Sequence, residues 1–164
     1  MTRLRIVYMV AALVLAAAVA PAAAQQTLGA TFSGYTENPT LNSSGSGTLT
    51  LTVSDDEQSI AYVLTYQGLT ATGASHIHVG SPWQNGPVVI FLCGGGGRPS
   101  CPSEGGTVEG TIVASDVTAG AAAQGFPAGD LATMLAAIRA GATYANLHTA
   151  ARGAGEIRGQ ILPQ

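Results

Sequence analysis

From Thr48 to Val53 the chain reads Thr-Leu-Thr-Leu-Thr-Val, polar and apolar in strict alternation. A period of two puts Leu49, Leu51 and Val53 on one face of a β-strand, and that face is expected to be buried. Asp55-Asp56-Glu57 supplies a polar turn, and Ile60, Tyr62, Leu64 and Tyr66 then share a face opposite Ala61 and Val63. Two such runs around a polar turn predict a hairpin. The rhythm returns at Ser75-His76-Ile77-His78-Val79, where Ile77 and Val79 point one way and the two histidines the other. Asn85-Gly86-Pro87 has turn chemistry. The unbroken apolar run Val88-Val89-Ile90-Phe91-Leu92 suits a central strand. Further strands are expected near Leu28–Tyr35, at Gly106–Ala114 with Val108, Gly110 and Ile112 on one face, and as a closing pair at Tyr144–His148 and Glu156–Ile161.

One segment changes period. Asp130–Ala140 places Leu131, Met134, Leu135 and Ile138 at helical spacing, with Asp130 positioned to cap the first turn and Gly141 to end the last. Its apolar stripe is expected to pack on the sheet. Many short strands and a single helix predict an all-β, antiparallel, Greek-key sandwich. No linker, charge block or internal repeat divides residues 25–164, which read as one domain.

The N-terminus follows a different pattern. A short positive segment holding Arg3 and Arg5 precedes an apolar run from Ile6 to Ala20, and Pro21-Ala22-Ala23-Ala24 supplies small residues before Gln25. This is the three-part form of a secretory signal, with cleavage expected after Ala24. The run falls short of the roughly 20 residues of a membrane span. No membrane span is therefore expected once residues 1–24 are removed. No Cys follows the cleavage point and the two arginines are not adjacent, which argues against a lipid anchor and a twin-arginine signal. The expected location is periplasmic or secreted.

Without residues 1–24 the chain keeps four Arg, no Lys and nine acidic residues, a formal charge of 4 − 9 = −5. An acidic chain with no basic stripe is a poor partner for nucleic acid or an anionic membrane. Cys93 and Cys101 are the two cysteines. In an exported chain such a pair reads as a disulfide, with a pair of soft metal thiolates as the rival reading. Closing this short glycine-rich loop stabilises the fold by about 2.6 kcal/mol on chain-entropy grounds. Asn42-Ser43-Ser44 is a formal glycosylation sequon, meaningful only in a eukaryotic host.

The chemistry-bearing residues are His76, His78 and His148, the three histidines of the chain. Two positions apart on a strand, His76 and His78 leave the same face with Cβ atoms about 7 Å apart. Two imidazoles so placed can converge on one ion at about 2.0–2.1 Å. In the final strand pair, burying Ala145 and Leu147 together with Ile157 and Ile161 fixes the parity of the pairing. Tyr144, Asn146 and His148 then share the other face with Glu156, Arg158 and Gln160, which makes Glu156 or Arg158 the expected neighbour of His148. Asn146 and Glu156 are the groups expected to hydrogen-bond and orient the ligating rings. Ligands to a single ion must lie within about 4 Å of one another. All-nitrogen ligation outside the cytoplasm suits Cu(II) or Zn(II), with Cu(II) the tighter.

Ser75-His76-Ile77-His78-Val79-Gly80, followed by Asn85-Gly86-Pro87-Val88-Val89, resembles the central motif of the chordin-type (CHRD) domain. Tyr144-Ala145-Asn146-Leu147-His148-Thr149 and Gly155-Glu156-Ile157-Arg158-Gly159-Gln160 resemble its C-terminal signature, and Glu37-Asn38-Pro39 is a degenerate form of its N-terminal pattern. The resemblance spans roughly residues 27–162. It implies an all-β sandwich of immunoglobulin-like or superoxide-dismutase-like form, in a short secreted protein of the bacterial kind, and implies little about activity. The Cys93–Cys101 loop has no counterpart in the pattern. The His-x-His strand is also similar to that of copper–zinc superoxide dismutase. That enzyme uses a fourth copper histidine and a separate zinc site, which this chain lacks, so dismutase activity is not expected.

Two readings remain. In one the chain is a non-enzymatic extracytoplasmic binding module, offering Gly94–Gly97, Trp83 and the Asn85-Gly86 turn to a protein partner. In the other His76, His78 and His148 bind copper or zinc for periplasmic metal handling. A hydrolase is the weakest class, because no nucleophile elbow or oxyanion glycine pattern accompanies the Ser, His and Asp residues.

Overall fold

The computed structural model describes residues 25–164; the expected signal segment lies outside them. Nine strands occur in chain order: β1 Thr27–Ser33, β2 Ser46–Val53, β3 Ser59–Gln67, β4 Thr72–Val79, β5 Val88–Cys93, β6 Gly105–Val113, β7 Thr143–Thr149, β8 Arg152–Gln160 and β9 Leu162–Pro163. One α-helix, α1 Leu131–Arg139, and short 3-10 turns complete the order. Among the described residues no helix is long and apolar enough to cross a membrane.

The strands form one sheet in the order β5-β4-β7-β8-β1-β2-β3-β6, with β9 added beside β1. The pairings are antiparallel. The alternation in the sequence sets which face is inside. Leu49, Leu51 and Val53 of β2 and Ile60, Tyr62, Leu64 and Tyr66 of β3 are buried, while Ala61 and Val63 are exposed. Ile77, Ile90, Ile112, Leu147 and Ile157 are fully buried in the same core. The helix begins at Asp130, whose side chain accepts from the Thr133 amide, and it buries Leu131, Met134, Leu135 and Ile138. Gly141 follows with φ +66°, the left-handed conformation that stops a helix.

The sheet closes almost into a barrel, and the closure explains β5. Its continuous apolar run suggested a central strand, yet β5 ends the strand order. Its outer edge is covered rather than paired. The Thr118 amide and hydroxyl donate to the carbonyls of Val89 and Val88. Tyr62 of β3 reaches over β6 and donates its hydroxyl to the Leu92 carbonyl at 2.7 Å. It crosses at Gly110, where a Cβ would stand 2.6 Å from the Tyr62 oxygen. The Cys93–Cys101 disulfide, with Cα atoms 5.1 Å apart, holds the following loop. Arg98 pins that loop to β6 through the Thr111 carbonyl and to the 3-10 turn after β6 through Asp116. Every donor or acceptor on an uncovered edge is a template for unwanted pairing, and this seam occupies the carbonyls of Val88, Val89 and Leu92.

Candidate metal centre

β4 and β7 lie side by side with His76 opposite Asn146, His78 opposite Tyr144 and Ala74 opposite His148. Directly opposed residues share a face, so the two histidines of β4 and the Tyr144, Asn146 and His148 of β7 leave the sheet on the side away from the core. β8 adds Arg158 opposite Asn146 and Gln160 opposite Tyr144. The parity argued from the apolar positions therefore holds along this stretch.

It breaks at His148. The ladder runs through Leu147 and Ile157, then resumes at Thr149 and Arg152. One residue of β7, His148, faces four of β8, residues 153–156. This is a β-bulge, which re-aims the side chains on either side of it. Glu156 is consequently not a neighbour of the imidazole. Its carboxylate accepts from the Ser43 and Thr149 hydroxyls instead. The bulge gives His148 a different partner, the Gly153 carbonyl, 3.0 Å from its Nδ1.

The three histidines come together. His76 Nδ1 lies 3.3 Å from His148 Nε2, and one ring nitrogen from each of the three lies within 4.8 Å of the others. Donors at about 2.0–2.1 Å from an ion stand about 2.9–3.4 Å apart at right-angle to tetrahedral geometry, and about 4.1 Å apart when opposed. The His76–His148 pair already matches; the widest pair is wider than the expected limit of about 4 Å and must draw in on binding.

Hydrogen bonds fix which nitrogens are free. A carbonyl only accepts, so His78 Nδ1 donates to the Gly86 carbonyl at 2.9 Å, and His148 Nδ1 donates to that of Gly153. In the neutral rings both Nε2 atoms then carry lone pairs. Both point at one atom, Asn146 Oδ1, at 3.0 and 2.9 Å. The other end of that amide, Nδ2, donates to Glu37 Oε1 at 3.4 Å. Glu37 is 3 % exposed and its second oxygen accepts from the Asn38 amide. Because a carboxylate only accepts, it selects the amide rotamer that sends oxygen toward the imidazoles.

The surroundings favour the neutral forms of His76 and His78. His76 is pushed down to about 4, first by burial and then by the charges His148 and His78 would carry. Burial is also the leading cause that lowers His78. His78 stacks on Tyr144, ring centroids 4.6 Å apart and planes nearly parallel, and His76 meets Phe91 edge-on at 4.7 Å. The Arg158 guanidinium sits 3.3 Å over the Tyr144 ring and donates to the carbonyls of Gln84 and Ser81. It thereby clamps the loop whose Gly86 carbonyl orients His78. Asn38 donates to the Trp83 carbonyl, tying the segment after β1 to the same loop.

An open cleft of about 240 Å³ runs beside the cluster between Glu37–Leu41 and Ala151–Gly155. Glu37 and Gly155 are the site residues that the sequence did not reveal as such. Gly155 has φ +128°, and a Cβ there would stand 2.6 Å from Glu37 Oε1 and 2.8 Å from Asn146 Nδ2. The glycine is what lets the carboxylate reach the amide. The one available signal was the Glu37-Asn38-Pro39 pattern, which carried a resemblance but no role.

No curated protein and no solved structure matches the chain. The sequence model of the CHRD domain matches residues 28–161, from the first residues of β1 to the end of β8, and so takes in Glu37, all three histidines and the bulge. Nearly closed antiparallel sheet, His-x-His strand and glycine-bulged last hairpin all lie inside that one matched span, and the chain belongs to the CHRD domain family.

Proposed function

We propose that this chain is an exported, non-enzymatic CHRD binding module whose ligand is a single Cu(II) or Zn(II) ion held by His76, His78 and His148. One observation carries the reading. The Nε2 atoms of His78 and His148 stand 3.0 and 2.9 Å from the one Asn146 Oδ1, and the carbonyls that take both Nδ1 protons leave lone pairs on those Nε2 atoms in the neutral rings. Acceptors facing acceptors repel, and a proton on one Nε2 relieves only one of the contacts. A cation relieves all of them, and His76 Nδ1 stands 3.3 Å from His148 Nε2 to complete the set. Cu(II) binds such nitrogen donors more tightly than Zn(II). Export is supported by the disulfide. The non-enzymatic reading is supported by Ser75, whose hydroxyl is buried and donates to the Asn146 carbonyl. It offers no nucleophile to the histidines.

A second reading, docking of a protein partner, is favoured by the exposed rings of Trp83 and Tyr35, 61 % and 63 % exposed. Trp83 belongs to the loop whose Gly86 carbonyl holds His78.

The test is a titration of residues 25–164 with Cu(II) and with Zn(II), beside His78→Ala. Micromolar or tighter 1:1 binding that the variant loses supports the metal site. Equal binding by the two proteins reduces it to surface coordination and leaves the docking module.

A further inference from the structure

Glu37 is an anomaly. It is 3 % exposed, yet among the described residues the ion pairs are Arg98–Asp116 and Arg139–Glu57. Its carboxylate meets only two neutral donors, the Asn38 amide and Asn146 Nδ2. Burying an acidic group without a hydrogen-bonded cationic partner is costly. The buried Arg158 guanidinium lies within electrostatic reach of this carboxylate, but it makes no hydrogen bond to it and spends its donors on the carbonyls of Ser81 and Gln84. The one side-chain donor that reaches Glu37 is the back of the metal-facing amide.

Resting on the three-histidine reading, we propose that Asn146 Oδ1 is the fourth donor to the ion, and that Glu37, acting through the Asn146 amide, is the counter-charge that makes the site prefer a divalent ion. Three imidazoles bring no charge, so a dication bound by them alone leaves two positive charges in a partly buried site. Glu37 offsets one of these through a single carboxamide. The same hydrogen bond polarises the amide, drawing electron density onto Oδ1 and strengthening it as a donor. A monovalent ion gains less from both effects. Glu37 is thus a positioning and charge-balancing residue, and Asn146 a ligand. Gly155 maintains the contact between them by its missing Cβ.

The experiment uses the purified chain and compares wild type, Glu37→Gln, Asn146→Ala, His78→Ala and the double variant Glu37→Gln/Asn146→Asp. Cu(II) and Cu(I) affinities are measured by competition with chelators, and folding is checked by urea midpoints. Glu37→Gln is expected to weaken Cu(II) by about 10- to 100-fold, the size usual for partners of metal ligands. Its Cu(I) affinity falls at least tenfold less, which raises the copper midpoint potential by about 59 mV or more. The double variant moves the negative charge one group closer and restores the preference for Cu(II). Asn146→Ala is expected to shift the Cu(II) electron paramagnetic resonance parameters in the direction of one oxygen donor fewer. A merely structural role for Glu37 lowers both oxidation states equally and is not rescued by the double variant, and that result overturns the inference. Unchanged binding in Glu37→Gln and Asn146→Ala, with loss in His78→Ala, overturns it while leaving the three-histidine site standing. Retained binding in His78→Ala removes both.

Discussion

Asn146 is held at both ends, its amide nitrogen toward a buried carboxylate and its oxygen toward two imidazoles. That arrangement needs an empty position at Gly155, so Gly155→Ala is expected to act twice. It forces a Cβ against Glu37 and Asn146 in a backbone conformation alanine resists, costing about 1–3 kcal/mol. It also separates the carboxylate from the amide and weakens Cu(II) binding. Urea unfolding and a Cu(II) titration on the same preparation check both effects. His76 provides a pH signature for the metal-free chain. Its folded value is pushed down to about 4, whereas in the unfolded chain it titrates near 6.5. Between these values the unfolded state binds more protons, so stability is complete above about pH 6.5 and is lost as pH falls toward 4. Urea midpoints measured across that range in the presence of chelator should decline, and His76→Gln should flatten the decline.

At the scale of elements, the strands and the helix follow from local pattern, and the joins do not. β2, β3 and β6 bury the residues their alternation marks, and α1 starts and stops at Asp130 and Gly141. β5 shows the limit of such reading. Its apolar run says that both faces are covered, but not that the cover on its outer edge is a 3-10 segment and a tyrosine from β3. Tyr62→Phe tests the seam. It keeps the ring and strands the Leu92 carbonyl, with an expected cost of about 1–3 kcal/mol. Hydrogen exchange should quicken at the β5 amides while those of β1 and β2 stay protected. The bulge in β8 is the second such join. Strand parity offered Glu156 or Arg158 as the neighbour of His148, and the extra residues of β8 gave that position to Gly153 instead. Glycines at 153 and 155 hint at irregularity, but no period records how many residues a bulge inserts.

For the molecule as a whole, binding and stability are linked. An ion that binds the folded chain alone stabilises it, by about 2.7 kcal/mol at a free concentration one hundred times Kd. Cu(II) should therefore raise the thermal midpoint of the wild type in a concentration-dependent way and leave His78→Ala unmoved. Differential scanning calorimetry over a range of free Cu(II) is the measurement. The site spans three sheet strands and two covering loops, so its ligands are assembled only when the sheet closes. Glu37 and Asn146 are 109 residues apart in the chain.

The sequence alone determined the all-β class, most strand positions, the helix with its caps, the cysteine pair, and the side of the sheet from which His76, His78 and His148 emerge. These properties are local, because whether a side chain faces core or water is written in alternation within a few residues. Tertiary structure decided that Glu37 rather than Glu156 stands behind the histidines, that a bulge orients His148, and that β5 lies at a seam. Those outcomes depend on close approach between distant segments, which leaves no periodic trace in the chain.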